Sequence, residues 1–158
     1  MATFAKLQAS MPWRKLSQDD WEQTPQGGWV EKTARVSGDA SVYGGASVSG
    51  DARVFDRASV SGDASVSGDA RVSGDARVSG GEWPFSPLQI QGSRHFLTTC
   101  SHTEISIGCE VHTPAWWAKH FRAVGRREGY SPAEIEEYKL LLNLATAWLK
   151  LKFPEENP

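Results

Sequence analysis

The sequence predicts a mainly β fold with some α: a solenoid of very short strands, preceded by a helical N-terminal cap and followed by an α+β module. Three observations carry this. Valines recur at 30, 36, 42, 48, 54, 60, 66, 72 and 78, and alanines at 34, 40, 46, 52, 58, 64, 70 and 76, an unbroken period of six. None of the seven tryptophans lies between residues 30 and 82, so the aromatic mass is confined to the flanks. Helix-start signals stand in both flanks, at Ser17, Thr113 and Ser131.

A period of six matches neither the 3.6 residues of an α-helix nor the alternation of a plain hairpin. One residue separates each Ala from the next Val, so both side chains point to the same face of a short strand. Three residues, usually Ser-Gly-Asp, separate each Val from the next Ala and supply a turn, with glycine at the tight bend. The same two residue types always face inward, which is the pattern of a solenoid whose coils stack and hydrogen-bond to their neighbours.

The run Val36 to Ala40, Val42 to Ala46 and onward resembles the hexapeptide-repeat family, in which an aliphatic residue is followed four positions later by a small one. The resemblance covers residues 28–81. It implies a left-handed parallel β-helix with three hexads per coil, hence about three coils here, and assembly as a homotrimer. One departure concerns the glycine, which comes two positions after the valine rather than one and leaves the turn geometry open.

Three hexads per coil would stack residues 18 apart at a spacing of about 4.8 Å. An interior of Val and Ala offers little apolar burial against the ordering of the backbone, and a bare stack exposes strand edges at both ends. The repeat therefore needs caps, partners or both. Arg35, Arg53 and Arg71 fall in one outward column. An anion could bridge three such guanidiniums, but Asp51 and Asp69 stand two residues before two of them and can neutralise them. Asp39, Arg57 and Asp75 form a column of alternating charge. Tyr43 and Phe55 replace the usual Ser and suggest a contact between protomers.

Domain boundaries follow from these changes of pattern: 1–27 for the cap, 28–81 for the repeat and 82–158 for the C-terminal module. In the cap, Phe4, Leu7, Met11, Trp13, Leu16 and Trp21 have the spacing of one or two short amphipathic helices, with Ser17 as a helix start. Beyond the rigid Trp-Pro-Phe-Ser-Pro connector, residues 88–91, 95–99 and 103–111 read as strands. Thr113-Pro114 opens a helix whose stripe of Trp117, Phe121 and Val124 runs to Gly125. A capping box at Ser131 and Glu134 opens the last helix, which buries Ile135, Tyr138, Leu142, Ala145 and Leu149. The whole order, with "ISIGCEVHT" and "GYSPAEIEEYKLLL" behind the repeat, resembles small hexapeptide-repeat accessory proteins of bacteriophages and prophages. It implies a cytoplasmic protein made in an infected bacterial host.

Two clusters could carry chemistry. Cys100, His102, Cys109 and His112 would make a Cys₂His₂ zinc set if a hairpin brought them together, although the spacing is not that of a standard finger. The plainer reading is two small cysteines and two edge histidines in one short sheet, with no cofactor. Lys119, His120, Arg122, Arg126 and Arg127 form a basic stretch. Lys119, Arg122 and Arg126 share a helical face near Trp116, and such a face could hold a nucleotide by ion pairing and stacking. The plainer alternative is a solvated helix end with cations near its C-terminus.

Composition narrows the function classes. A net charge of -2 gives no reason to expect nucleic-acid or membrane partners, and no run reaches the roughly 20 apolar residues of a membrane span. Many hexapeptide-repeat proteins are acyltransferases, but their histidine on or beside the coils and their inserted loop have no counterpart within residues 28–81. The coils are too short for a fibre shaft of a virion component. The reading that remains is a non-catalytic, homotrimeric binding protein that sequesters a small anionic, nucleotide-like ligand or a host defence factor.

Overall fold

The computed structural model describes residues 3–12 and 14–156; Trp13 lies outside the described residues. The chain folds as two compact units, Met1–Pro87 and Leu88–Pro158. In the first, helix α1 (Phe4–Ser10) and strand β1 (Trp21–Gln23) precede the repeat. The chain then winds through β2 (Trp29–Glu31), β3 (Arg35–Val36), β4 (Ser41–Val42), β5 (Ser47–Val48), β6 (Arg53–Val54) and β7 (Ser59–Val60). It continues through β8 (Ser65–Val66), β9 (Arg71–Val72), β10 (Arg77–Val78) and β11 (Glu82–Trp83).

Three parallel sheets result: β2-β5-β8-β11, β3-β6-β9 and β4-β7-β10. Val30 pairs with Val48 and Val48 with Val66, so one coil takes 18 residues, three hexads, as the resemblance to hexapeptide-repeat proteins implies. From Val42 to Val78 and from Ala46 to Ala76 every inward Val and Ala is buried. Outward neighbours carry the ladder; the Ser59 N–H, for example, donates to the Ala76 carbonyl at 2.9 Å.

The turns explain the displaced glycine. The Ala64 N–H donates to the Ser61 carbonyl at 3.2 Å across the pair Gly62-Asp63. Gly62 has φ +62°, whereas Asp63 does not have a positive φ. Positive φ at the first central residue alone is the signature of a type II′ turn, where glycine belongs at that first position. The same position is non-glycine once, at Asp56 with φ +61°, where the carboxylate accepts the Gly74 N–H at 3.0 Å.

Both ends of the solenoid depart from the repeat. At the C-terminal end the coil is one residue short, so Trp83 rather than residue 84 pairs with Val66. The indole is fully buried and donates to the Gly80 carbonyl at 2.7 Å. At the other end β1 pairs antiparallel with β2 and closes that sheet edge. Val30 is inward, so its neighbour Trp29 faces out, and Leu7, Met11, Leu16 and Trp21 bury it, with Phe4 edge-on at 5.6 Å. The cap thus lies against the side of the first coil as well as its end. Trp21 forms strand rather than helix, and Ser17 opens only a single 3₁₀ turn, Gln18–Asp20. Glu31, nearly buried, is held by the Arg14 guanidinium and by the Gly50 N–H at 2.9 Å, which ties the cap to the second coil.

The outward columns fall as expected. Arg35 pairs in register with Arg53, and Arg53 with Arg71, while Arg57 meets Asp75 at 2.7 Å.

In the second unit, β12 (Gln89–Gln91), β13 (Phe96–Thr99), β14 (Ile105–Ile107) and β15 (Glu110–His112) form an antiparallel sheet in sequential order. Helices α2 (Pro114–Arg127) and α3 (Pro132–Lys152) follow. Residues 103–111, read as one strand, are two, because Gly108 turns the chain at φ +58°. Leu97, Ile105 and Ile107 pack against Trp117, Tyr138, Leu142 and Leu149, and the Trp117 indole donates to the Ile105 carbonyl at 2.9 Å. Thr113 caps α2 and the Ser131–Glu134 box caps α3, as their sequences predict. Helix α2 does not stop at Gly125. That glycine is buried inside it, where a Cβ would come within 2.9 Å of Ile135 on α3, and the helix ends before Gly129 at φ +70°.

Candidate functional site

Helix α2 positions all six residues of the candidate anion site, and its periodicity divides them. At about 100° per residue, Lys119, Arg122 and Arg126 lie within about 60° of one another, opposite the buried Trp117 and the half-buried Phe121 and Val124. Trp116, His120 and Arg127 lie within about 40° of one another on a separate flank. The six therefore do not converge on one point.

On the first face, Arg122 pairs with Glu136 at 3.2 Å and lies 5.1 Å from the Phe121 ring centre. Both partners of that ion pair are more than half exposed, so the pair is worth about 0–1 kcal/mol and an incoming anion can displace it. Lys119 and Arg126 are exposed and make no ion pair among the described residues.

On the second flank the indole of Trp116 is already occupied. His112 and His120, four residues to either side, stack on it with ring centres at 3.5 and 4.4 Å and interplanar angles of 19° and 23°. The His120 Nδ1 lies 2.8 Å from the Trp116 carbonyl. Trp116 is thus held as the middle of a three-ring stack, a different arrangement from the open stacking platform expected from sequence. Arg127 bridges Glu110 and Glu128, and Glu110 also meets the His112 Nε2 at 3.0 Å. The hydrogen bonds from His112 and Arg127 hold the Glu110 carboxyl below the usual carboxylate range.

The four residues of the expected zinc set are not brought together. Among the described residues no group of three or more His, Cys, Asp or Glu side chains is arranged to hold a metal ion. Cys100 follows β13, whereas Cys109 sits in the β14–β15 turn at the opposite end of β14. His102 stacks on Phe153 at 3.8 Å and pairs with Glu156, while His112 belongs to the Trp116 stack. Strand direction is the physical reason: a hairpin on each side of β14 sends the two cysteines to different ends of the sheet.

Sequence reasoning missed a cavity of about 170 Å³ in this unit. Phe121, Val124 and Ile135 line it together with the Trp117 edge, and His95, Cys109, Glu110 and Glu128 contribute polar groups. Tyr130 and Tyr138 complete the wall, and burial pushes the Tyr130 hydroxyl well above its ordinary pKa. Tyr138 donates to the His95 carbonyl at 2.7 Å and fixes the β12–β13 turn that carries His95. These contacts join residues some 40 positions apart, which no local motif announces.

Comparison with known families matches the chain to the YdcK beta solenoid repeat over residues 64–80 and 70–83. Comparisons with curated proteins and with solved structures give no match. No described helix is long and apolar enough to cross a membrane. The matched segments run from the start of the third coil to Trp83, and with the three parallel sheets they mark this chain as a β-solenoid repeat protein.

Proposed function

We propose that this chain is a non-catalytic binding protein of the phage accessory type, in which the solenoid assembles a homotrimer and helix α2 captures a small anionic, nucleotide-like ligand. The observation that carries the reading is the pair Lys119 and Arg126, two exposed cations without an ion-pair partner among the described residues. Seven residues of helix separate them by about 10 Å, a span suited to a ligand with more than one anionic group. Arg122 lies between them, and its exchangeable contact with Glu136 leaves it able to join.

A convex helix face supplies charge but no enclosure, and ligand sites are concave. A neighbouring subunit supplies the second wall, which is why trimer and ligand belong to one reading. The test is native mass spectrometry of gently purified protein followed by calorimetry with mono- and dinucleotides. A trimer that binds a nucleotide, and a Lys119→Ala/Arg126→Ala trimer that loses at least tenfold in affinity, is the expected result. Undiminished binding by the double variant would falsify the site.

A second reading, capture of a host protein, is favoured by a different observation. Leu140, Leu144 and Leu151 stand exposed along one side of α3, spaced by four and seven residues. A stripe of that kind is a common form of protein-binding surface.

A further inference from the structure

The geometry points to a second binding site, for a one- or two-ring aromatic molecule that carries a hydrogen-bond donor, in the cavity between the β14–β15 turn and helices α2 and α3. The space measures about 170 Å³. An engineered cavity of about 150 Å³ lined by Leu, Ile and Phe takes up benzene, so the volume suits a ring of that order. Trp117 and Phe121 offer aromatic edges and faces, and Val124 and Ile135 fill the remaining apolar wall. Aromatic guests gain from offset and edge-on contacts with such walls.

The polar residues that line the space include two carboxylates, Glu110 and Glu128. Among the described residues Arg127 is the one guanidinium that serves both carboxylates; Glu110 also meets the His112 Nε2, so Glu128 is the acceptor with fewer partners. Two negative charges against one positive disfavour an anionic guest and favour one that donates, such as a phenol or an indole. His95, fixed through its backbone by Tyr138, adds a ring nitrogen able to accept or donate. A mostly apolar hollow with a few convergent polar groups is the usual construction of a small-molecule site. This site faces away from the Lys119–Arg126 face on α2, so the two stand or fall separately.

Cys109 provides a reporter, because it is exposed and lines the cavity whereas Cys100 is buried. The intact protein would be titrated with p-cresol, indole and benzoate, following ligand-observed NMR and the rate at which a disulfide reagent modifies Cys109. The expected result is binding of p-cresol and indole with several-fold protection of Cys109, and no protection by benzoate. Val124→Phe should abolish both signals while helical circular dichroism persists. If that variant does not fold, the protection measured on the unaltered chain still decides. No binding, binding without protection of Cys109, or equal protection by benzoate would overturn the assignment.

Discussion

In the solenoid every inward position from Val42 to Val78 repeats one of two small residues, whereas the core of the C-terminal unit mixes Leu, Ile, Trp, Tyr and Ala in no repeating order. The solenoid gains little from any single side chain, about 1.5 kcal/mol for a valine at the low end of the usual range. It depends on neighbouring coils repeating the same contact and the same ladder bond. The C-terminal unit depends instead on contacts between distant segments, such as Tyr138 with His95 and Glu137 with the Ser93 N–H at 2.8 Å. Among the described buried residues of the first unit, large side chains gather where repetition stops, at Trp83 and in the cap cluster around Trp29. The difference teaches that a repeat supplies its own interior but not its own ends.

The strongest way to break this comparison is to disrupt each core separately. Val60→Asp places an unpaired carboxylate at a fully buried site and should cost about 4 kcal/mol or more. Trp117→Ala should cost about 3–5 kcal/mol and removes the hydrogen bond to Ile105. Urea unfolding followed by far-ultraviolet circular dichroism should show helix retained in the first variant and lost in the second. Simultaneous loss of all structure in both would mean that the two units do not behave as separate cores.

A smaller effect is expected within the repeat itself. A Cβ on Gly62 would sit 2.3 Å from the Ser79 carbonyl oxygen at φ +62°, so Gly62→Ala should cost roughly 2 kcal/mol. Asp56→Gly, at the equivalent turn position, should change stability by less than about 0.5 kcal/mol, because relief of the left-handed conformation offsets the lost bond to Gly74. Equal effects from the two substitutions, measured by urea unfolding, would show that turn conformation does not control the stacking.

A modest and pH-dependent effect belongs to the N-terminal cap. Burial pushes the Glu31 carboxyl up, but Arg14 and the Gly50 N–H outweigh it and hold the group below its ordinary value. A depressed carboxylate stabilises fully above the unfolded pKa, near 4.3, and this contribution is lost as pH falls through the lower folded value. Arg14 is about half exposed, so Arg14→Ala should cost only about 1–2 kcal/mol at neutral pH. In an acid titration by tryptophan fluorescence, the variant should release its cap at higher pH than the unaltered chain. Coincident titrations would remove Glu31 from the account.

Much of the fold was legible because it is local. The six-residue period set the inward residues, the resemblance to hexapeptide-repeat proteins supplied the 18-residue coil, and the capping residues Thr113 and Ser131 set both helix starts. Gly125 misled because its role is close packing against Ile135 rather than a break. The α2 site was legible only in part. Helical spacing alone separates Lys119, Arg122 and Arg126 from Trp116, His120 and Arg127, but the stacking of His112 on Trp116 comes from β15, outside the helix. The cavity was not legible, since its walls come from the β12–β13 turn, the β14–β15 turn, α2 and α3.

By itself the sequence determined the solenoid, because a short period repeats one local geometry and each coil needs only its neighbours to complete it. Tertiary structure alone decided where the cysteines and histidines lie, which cations are engaged and that a cavity exists. Those outcomes depend on which distant side chains meet, and the energy of such meetings is not written in any window of adjacent residues.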